Sequence, residues 1–372
     1  MNNYTKKTAL IVKEKTKEIW GTDNPNVMVM KNFCNITTDN DHSQAKELES
    51  IAISSTTTTC RVFEFLEQTG IPTAYIKQQS ETEIVAKNCK MIPLEVVAHR
   101  YAVGNLLKQR PELKKEEGEL PHRFHRLFFE VSLKTPNSEL TIDKVLPQQI
   151  ELKQIEALTR KTFLVLESAW SNLGYRLINL KLEFGVTNDG ELVVSNIIDN
   201  DSWQLQTQDW KEVEGKCARV AQLVSLFRIP KQAIVFWRGS ETDKVPEISQ
   251  IAGLNIEYPV ISAHKKPTYA VEELERIHTI YPEGGVIIAL VGMSNGLGPT
   301  LSARTDWPVI SVCTTANEHP EDVWSNLRMP SEVPNLTVLS PKNAILSAFN
   351  ILGEKNPAIY AHRRLAIEAL DK

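Results

Sequence analysis

Val286-Ile287-Ile288-Ala289-Leu290-Val291-Gly292-Met293-Ser294-Asn295-Gly296-Leu297-Gly298-Pro299 joins an uninterrupted apolar run to a loop of glycine, serine and asparagine. The run predicts a buried strand. The loop at its end is a common way to aim backbone N–H groups at a phosphate. Upstream, Ser262-Ala263-His264-Lys265 closes a second apolar stretch. A histidine at a strand end can move a proton near neutral pH.

The surrounding pattern repeats. Ala233–Trp237, Ile256–Ile261, Val286–Val291 and Val309–Val312 are β-prone runs, with helical segments expected between them, one directly after the Gly239 loop and another over Tyr269–His278. Strands alternating with helices predict a parallel, doubly wound α/β sheet. Such sheets bind ligands beyond the carboxyl ends of their strands. Three expected strand-end loops fall there: Gly239–Asp243, Ser262–Pro267 and Gly292–Gly296. Ser240, Thr242 and Ser294 can donate to phosphate or ribose oxygens, and Asp243 can accept from ribose hydroxyls. A strand-end histidine alone serves packing as readily as chemistry. Three such loops in order point to a site.

The N-terminal half reads as α+β. Ala9–Val12, Val27–Met30 and Ile84–Val85 are short β-prone pieces. Ile51–Thr69 carries apolar residues at helical spacing and stops at Gly70, and Leu146–Trp170 predicts another helix. Gln109–His125 is polar and reads as a surface loop. Leu177–Phe184 alternates in character, Asn188-Asp189-Gly190 signals a hairpin, and Glu191–Ile198 is the expected returning strand. Lys211–Phe227 predicts a helical connector that ends before Pro230. The expected domains are therefore 1–210, a linker over 211–230, and 231–372.

Hydrophobic residues make up 42% and charged residues 24% of 372, as in ordinary globular proteins. A formal charge of −4 and the lack of a basic stripe argue against a nucleic-acid role. Five scattered cysteines include no C-x-x-C pair, so neither a disulfide framework nor a zinc site is indicated. No apolar run has the length of a signal peptide core or a membrane span, so a cytoplasmic setting is expected.

The three loops resemble those of the aminoimidazole ribonucleotide (AIR) carboxylases of purine biosynthesis, in their animal-type class. That family's pattern is roughly G-S-T-S-D, S-A-H-K-G-P and G-R-S-N-G-L-G-P. Pro308–Ser311, Asp322–Arg328 and Thr337–Pro341 fit as well, so the resemblance covers about residues 231–352. It implies a flavodoxin-like sheet and addition of CO2 to an electron-rich imidazole carbon, without cofactor. It implies His264 and Lys265 as catalytic, and Ser240, Thr242, Asp243, Ser262, Ala263, Ser294, Asn295 and Gly296 as substrate-binding. It also implies a homo-octamer built through this domain. Met293 replaces the family's arginine, Glu241 adds a charge, Lys266 replaces a glycine, and the helix after Asp243 is shortened around Pro246.

The N-terminal half resembles succinocarboxamide (SAICAR) synthetase, an ATP-grasp-related fold, over about residues 8–205. Lys15–Glu18, Ile92–Val97, Lys181–Gly185 and Ile198–Trp203 carry that likeness. It implies ATP- and Mg²⁺-dependent ligation of aspartate to the carboxylated nucleotide. Lys15 and Lys17 would meet ATP phosphates, Glu95, Lys181, Glu183, Asp199 and Asp201 would complete the ATP site, and Asp199 would neighbour Mg²⁺. The departures fall on charged positions. Glu14 stands for a glycine of the ATP loop, His99 for an arginine, Asn105 for a serine, Asn179 for an aspartate and Gln204 for an arginine. A carboxylate beside a triphosphate repels it. The chain is thus expected to be a divergent relative of the animal bifunctional purine enzymes, with the carboxylase retained and the synthetase lost. The alternative is an inactive paralogue acting as scaffold, regulator or assembly partner.

Overall fold

The computed structural model describes residues 5–14, 16–33, 42–116, 118–134, 142–213 and 216–370. It divides into two units, residues 1–228 with 367–372, and residues 229–366.

The first unit is α+β. Its elements are β1 (Lys7–Lys13), β2 (Lys17–Thr22), β3 (Val27–Asn32), α1 (His42–Gln68), β4 (Tyr75–Gln78), β5 (Glu83–Lys87), β6 (Cys89–Met91), β7 (Leu94–Tyr101), α2 (Asn105–Gln109), β8 (Arg123–Leu133), α3 (Ile142–Val145), α4 (Leu152–Asn172), β9 (Tyr175–Thr187), β10 (Leu192–Ser195), β11 (Trp203–Thr207) and α5 (Lys216–Val224). One antiparallel sheet runs β1-β2-β3-β5-β4. A second is centred on β9, which pairs with β10, β7, β11 and β6, while β7 also pairs with β8.

Side-chain period decides these faces. On β9, Ile178, Leu180, Leu182 and Phe184 are buried, while Asn179, Lys181 and Glu183 lie on the opposite, half-exposed face. Helix α4 starts with a capping box, the Glu151 N–H donating to Gln154 Oε1 at 2.7 Å. It buries Ile155, Phe163, Leu166 and Trp170. Each such side chain contributes roughly 1.5–3 kcal/mol of burial. The expected loop over Gln109–His125 holds a short 3₁₀ turn at Pro111–Leu113 and gives way to β8 at Arg123.

The second unit contains β12 (Gln232–Arg238), β13 (Leu254–Glu257), α6 (Pro267–Ile280), β14 (Gly285–Val291), α7 (Leu297–Ser302), β15 (Val309–Cys313), α8 (Trp324–Leu327), β16 (Leu336–Thr337), α9 (Pro341–Leu352) and α10 (Pro357–Glu368). The sheet is parallel throughout, in the order β13-β12-β14-β15-β16. β14 and β15 are buried along their whole length, as sheets covered on both faces require. On one face Val235, Trp237, Ile287 and Ala289 pack with Leu274 and Ile277 of α6 and Leu301 of α7. On the other, Ile234, Phe236, Ile288 and Leu290 pack with Ala348 and Phe349 of α9 and Ile359 of α10.

One expectation is overturned. No helix follows the Gly239 loop: residues 244–250 have no regular structure. Pro246 disfavours the helical region for the residue before it and removes a donor. Val245, Ile248 and Ile251 still pack on the core, so the segment keeps its apolar contacts without a helical backbone. The strand expected over Ile256–Ile261 is also shorter, with Val260 forming only an isolated bridge to Arg238. No helix among the described residues is long and apolar enough to cross a membrane.

Candidate functional site

The strand order of the second unit reverses between β12 and β14, which lie side by side with Arg238 opposite Leu290. The crevice beyond these two strand ends is where such sheets hold ligands. The segment after β13 is drawn to it: the Ile261 N–H donates to the Arg238 carbonyl at 3.0 Å, and Trp237 Nε1 donates to the Ile261 carbonyl at 3.1 Å. The next residues are Ser262-Ala263-His264-Lys265, with Ala263 buried and His264 and Lys265 exposed. The Lys266 N–H donates to the Ser262 carbonyl at 2.8 Å, closing a turn from which α6 leaves with Pro267 at its first position. Lys266 has φ −140°, open to any residue, so this backbone does not demand the glycine of the family pattern.

His264 meets the loop after β14. A β-carbon added to Gly296 would lie 1.8 Å from His264 Nε2 and 2.3 Å from its Cδ2. The imidazole therefore occupies the space a side chain at position 296 would need. Two of the three loops thus come into direct contact.

Asn295 is the pin of that contact. It is 6% exposed, its Nδ2 donates to Ser311 Oγ at 3.0 Å, and its Oδ1 accepts from the Gly298 N–H at 2.8 Å. Its side chain is spent on holding the loop. Its own N–H donates to Ser325 Oγ at 3.1 Å. A β-carbon at Gly298 would fall 2.2 Å from Ser311 Oγ, so helix and strand approach too closely there for any side chain. Ser311 passes the chain of bonds on to Asn335 Oδ1 at 2.8 Å. Ser294 stays exposed. Met293 is 74% exposed with φ +50°, and its N–H donates to Thr315 Oγ1 at 3.3 Å. Thr315 Oγ1 in turn donates to Asp322 Oδ2 at 2.6 Å. Ser311, Thr315 and Ser325 escaped sequence reasoning as supports. The signal for Ser311 was a lone hydroxyl in the apolar strand Val309–Cys313.

The third loop closes on itself. The Ser240 N–H donates to Asp243 Oδ2 at 3.1 Å, and Ser240 Oγ and Thr242 Oγ1 are 2.9 Å apart. Arg238 Nη1 donates to the Asp243 carbonyl at 3.2 Å, and its Nη2 pairs with Glu241 at 3.2 Å. With no helix behind it, this loop offers no aligned N-terminal N–H groups.

In the first unit, Lys17 and Glu183 line a cavity of about 280 Å³. Its walls include Ile19, Met28, Met30, Phe63 and Ile84, and its polar residues include Glu14, Lys17, Tyr75, Asn88, Lys134, Glu183, Ser195 and Asn196. Lys17 Nζ donates to Asn196 Oδ1 at 2.5 Å and lies 3.3 Å from the Glu14 carboxylate. Lys134 Nζ donates to Glu183 Oε2. The Glu14 N–H donates to the Lys17 carbonyl at 2.9 Å. Burial pushes the Cys89 thiol in the wall up to about 11, against a smaller opposing pull from Lys87.

Glu95, Lys181, Asp199 and Asp201, also expected at the ATP site, are not among the residues that line this cavity. Glu95 and Lys181 face each other at 3.7 Å on half-exposed strand surface. Asp199 accepts from Ser55 Oγ at 2.5 Å and from the Asp201 N–H at 3.1 Å, which makes it a turn acceptor. Lys15 falls outside the described residues. Among the described residues no three His, Cys, Asp or Glu side chains gather in one place. Two further departures partner each other: Asn179 Nδ2 donates to Gln204 Oε1 at 3.1 Å, a neutral pair across β9 and β11. His99, opposite Asn179, lies 2.6 Å from Glu130 Oε2. Burial holds its pKa below the ordinary value, with Glu130 pulling the other way.

Both units match known families: residues 10–219 match SAICAR synthetase and residues 238–369 match AIR carboxylase. The probable multifunctional protein ADE2 of Caenorhabditis elegans is 32% identical, over 94% of this chain and 91% of its own. The multifunctional protein ADE2 of Gallus gallus is 32% identical with the same coverage, 94% and 91%. The Homo sapiens bifunctional phosphoribosylaminoimidazole carboxylase/phosphoribosylaminoimidazole succinocarboxamide synthetase is 32% identical over 95% of this chain and 92% of its own. With strand-end loops, parallel sheet and α+β unit in the matching order, the chain belongs to this bifunctional family of purine biosynthesis, with a SAICAR synthetase domain followed by an AIR carboxylase domain.

Proposed function

We propose that the second unit adds CO2 to aminoimidazole ribonucleotide and that the first unit no longer ligates aspartate. The imidazole carbon attacks CO2, a C–C bond forms, and the ring proton on that carbon passes to His264. Lys265, exposed beside it, favours the incoming carboxylate electrostatically. The backbone of Ser262 and Ala263, the carbonyls of Asn295 and Gly296 and the hydroxyls of Ser240, Thr242 and Ser294 hold the ribonucleotide, and Asp243 accepts from its ribose. No cofactor enters this step; ATP and Mg²⁺ would be needed only by the synthetase reaction.

The observation that carries this reading is the His264 ring lying against Gly296 at the switch point. A carboxylation assay with aminoimidazole ribonucleotide and bicarbonate, against His264→Asn, tests it. Turnover well above the variant supports it; turnover equal to the variant's overturns it. The exchange of charged family positions for Glu14, His99, Asn179 and Gln204, with Asn179 and Gln204 bonded to each other, supports loss of the ligase.

Two observations favour a second reading, an inactive paralogue serving as scaffold, regulator or assembly partner. The missing helix after Asp243 and the Glu241 carboxylate on Arg238 weaken anion binding at the first strand tip. In either reading the protein works in the cytoplasm as a homo-octamer assembled through the second unit. The exposed Tyr258, Tyr269, Trp324 and Leu327 support such an assembly.

A further inference from the structure

We infer that the end of the chain is a strap of the first unit: the Glu368 carboxylate holds the irregular stretch of β8 beside His99 and Glu130, and its release loosens that stretch. The strap is independent of whether either purine reaction proceeds.

β7 and β8 do not stay in step. His99 pairs with Phe128 and Tyr101 with Arg123, so Arg100 alone spans the stretch from Phe124 to Leu127. A break of this kind takes backbone groups out of the ladder and re-aims the side chains that flank it. His99 and Glu130, 2.6 Å apart through Nε2 and Oε2, stand just beyond it.

Two charged side chains answer the freed backbone groups. Arg100 Nη1 donates to the Phe124 and His125 carbonyls at 3.0 and 2.9 Å. The Leu127 N–H donates to Glu368 Oε2 at 3.4 Å. Glu368 is the last helical residue of α10, and residues 367–372 are part of the first unit. The Leu127–Glu368 bond joins residues 241 apart in sequence, so no local contact restores it once broken. Helix ends and chain termini are also where opening starts at least cost.

Charge makes the strap matter. The Arg100 side chain is fully buried and Glu368 is 1% exposed. Arg100 grips Glu167 with Nε at 2.6 Å and Nη2 at 3.0 Å, a two-pronged bond, and Nη2 also donates to Glu368 Oε1 at 3.1 Å. The other Glu368 oxygen accepts from Arg160 Nη1 at 2.6 Å. Arg160 in turn lies over the Phe129 ring of β8, 4.6 Å from its centre. Glu368 therefore bridges two arginines in the interior, and taking one carboxylate from such a network costs far more than losing a surface pair.

Hydrogen exchange of the full chain, read over residues 123–130, over β3 and over β14, tests the inference. Glu368→Gln keeps the shape and removes the charge. Exchange over 123–130 is expected to quicken about tenfold, while β3 and β14 stay within about twofold. Glu368→Asp keeps the charge on a shorter arm and is expected to give a smaller increase, about threefold. Unchanged exchange over 123–130 in Glu368→Gln overturns the inference. Equal acceleration in β3 also overturns it, since Glu368 would then add to overall stability without holding β8 in particular. Should Glu368→Gln fail to fold, Glu368→Asp decides by the same comparison of 123–130 with β3.

Discussion

Gly296 and His264 are the pair on which the chemistry turns. Because a β-carbon at 296 would sit 1.8 Å from Nε2, Gly296→Ala must swing the imidazole away. We expect kcat/KM for carboxylation to fall by about 100-fold, since a displacement of about 1 Å in a reacting group has that effect. The melting temperature should stay within a few degrees, because the loop is partly exposed. His99 gives a second residue-scale test. Its pKa is held below 6.5 by burial, so the fold favours the neutral ring. The unfolded chain then binds more protons as pH falls through that range, and stability is lost there. His99 thus stabilises fully above its unfolded pKa, and that contribution disappears as pH drops through the folded value. Thermal melts from about pH 7 to pH 5 should show a steeper loss for wild type than for His99→Gln, which keeps a donor toward Glu130. Parallel curves would contradict the assignment.

At the scale of elements, the loop after β14 is rigid because Asn295 ties it to Gly298 and Ser311. Asn295→Ala should cost about 1–3 kcal/mol by leaving a buried N–H and hydroxyl short of partners, seen as a lower denaturation midpoint with unchanged slope. The parallel sheet was legible because β12, β14 and β15 are continuous apolar runs between glycine-bearing loops. The His264 loop was legible because its residues follow an apolar stretch. What could not be read was local. The missing helix after Asp243 turns on Pro246 outweighing the helical spacing of its neighbours, whose apolar side chains reach the core without it. β8 was hidden in part because Arg123 to Arg126 looks like loop, and tertiary pairing with β7 overrides that. In the first unit the cavity was invisible from spacing, since Glu14, Lys134 and Asn196 come from distant stretches of chain.

At the scale of the molecule, each unit keeps its core while charged positions vary. In the first unit the variation is concerted: Asn179 bonds Gln204, Glu14 pairs with Lys17, and His99 meets Glu130. Such mutual satisfaction among described side chains keeps the fold intact and fits the proposed loss of the ligase. The second unit leaves Tyr258, Tyr269, Trp324 and Leu327 exposed. For the proposed homo-octamer, multi-angle light scattering should give eight copies; a monomer would refute the assembly. The most direct test of the central claim is exchange of labelled CO2 into the carboxylated imidazole nucleotide, which needs proton transfer at the ring carbon but neither ATP nor aspartate. The account predicts label incorporation by wild type and none above background by His264→Asn. Equal incorporation by the two, or none by either, would contradict it.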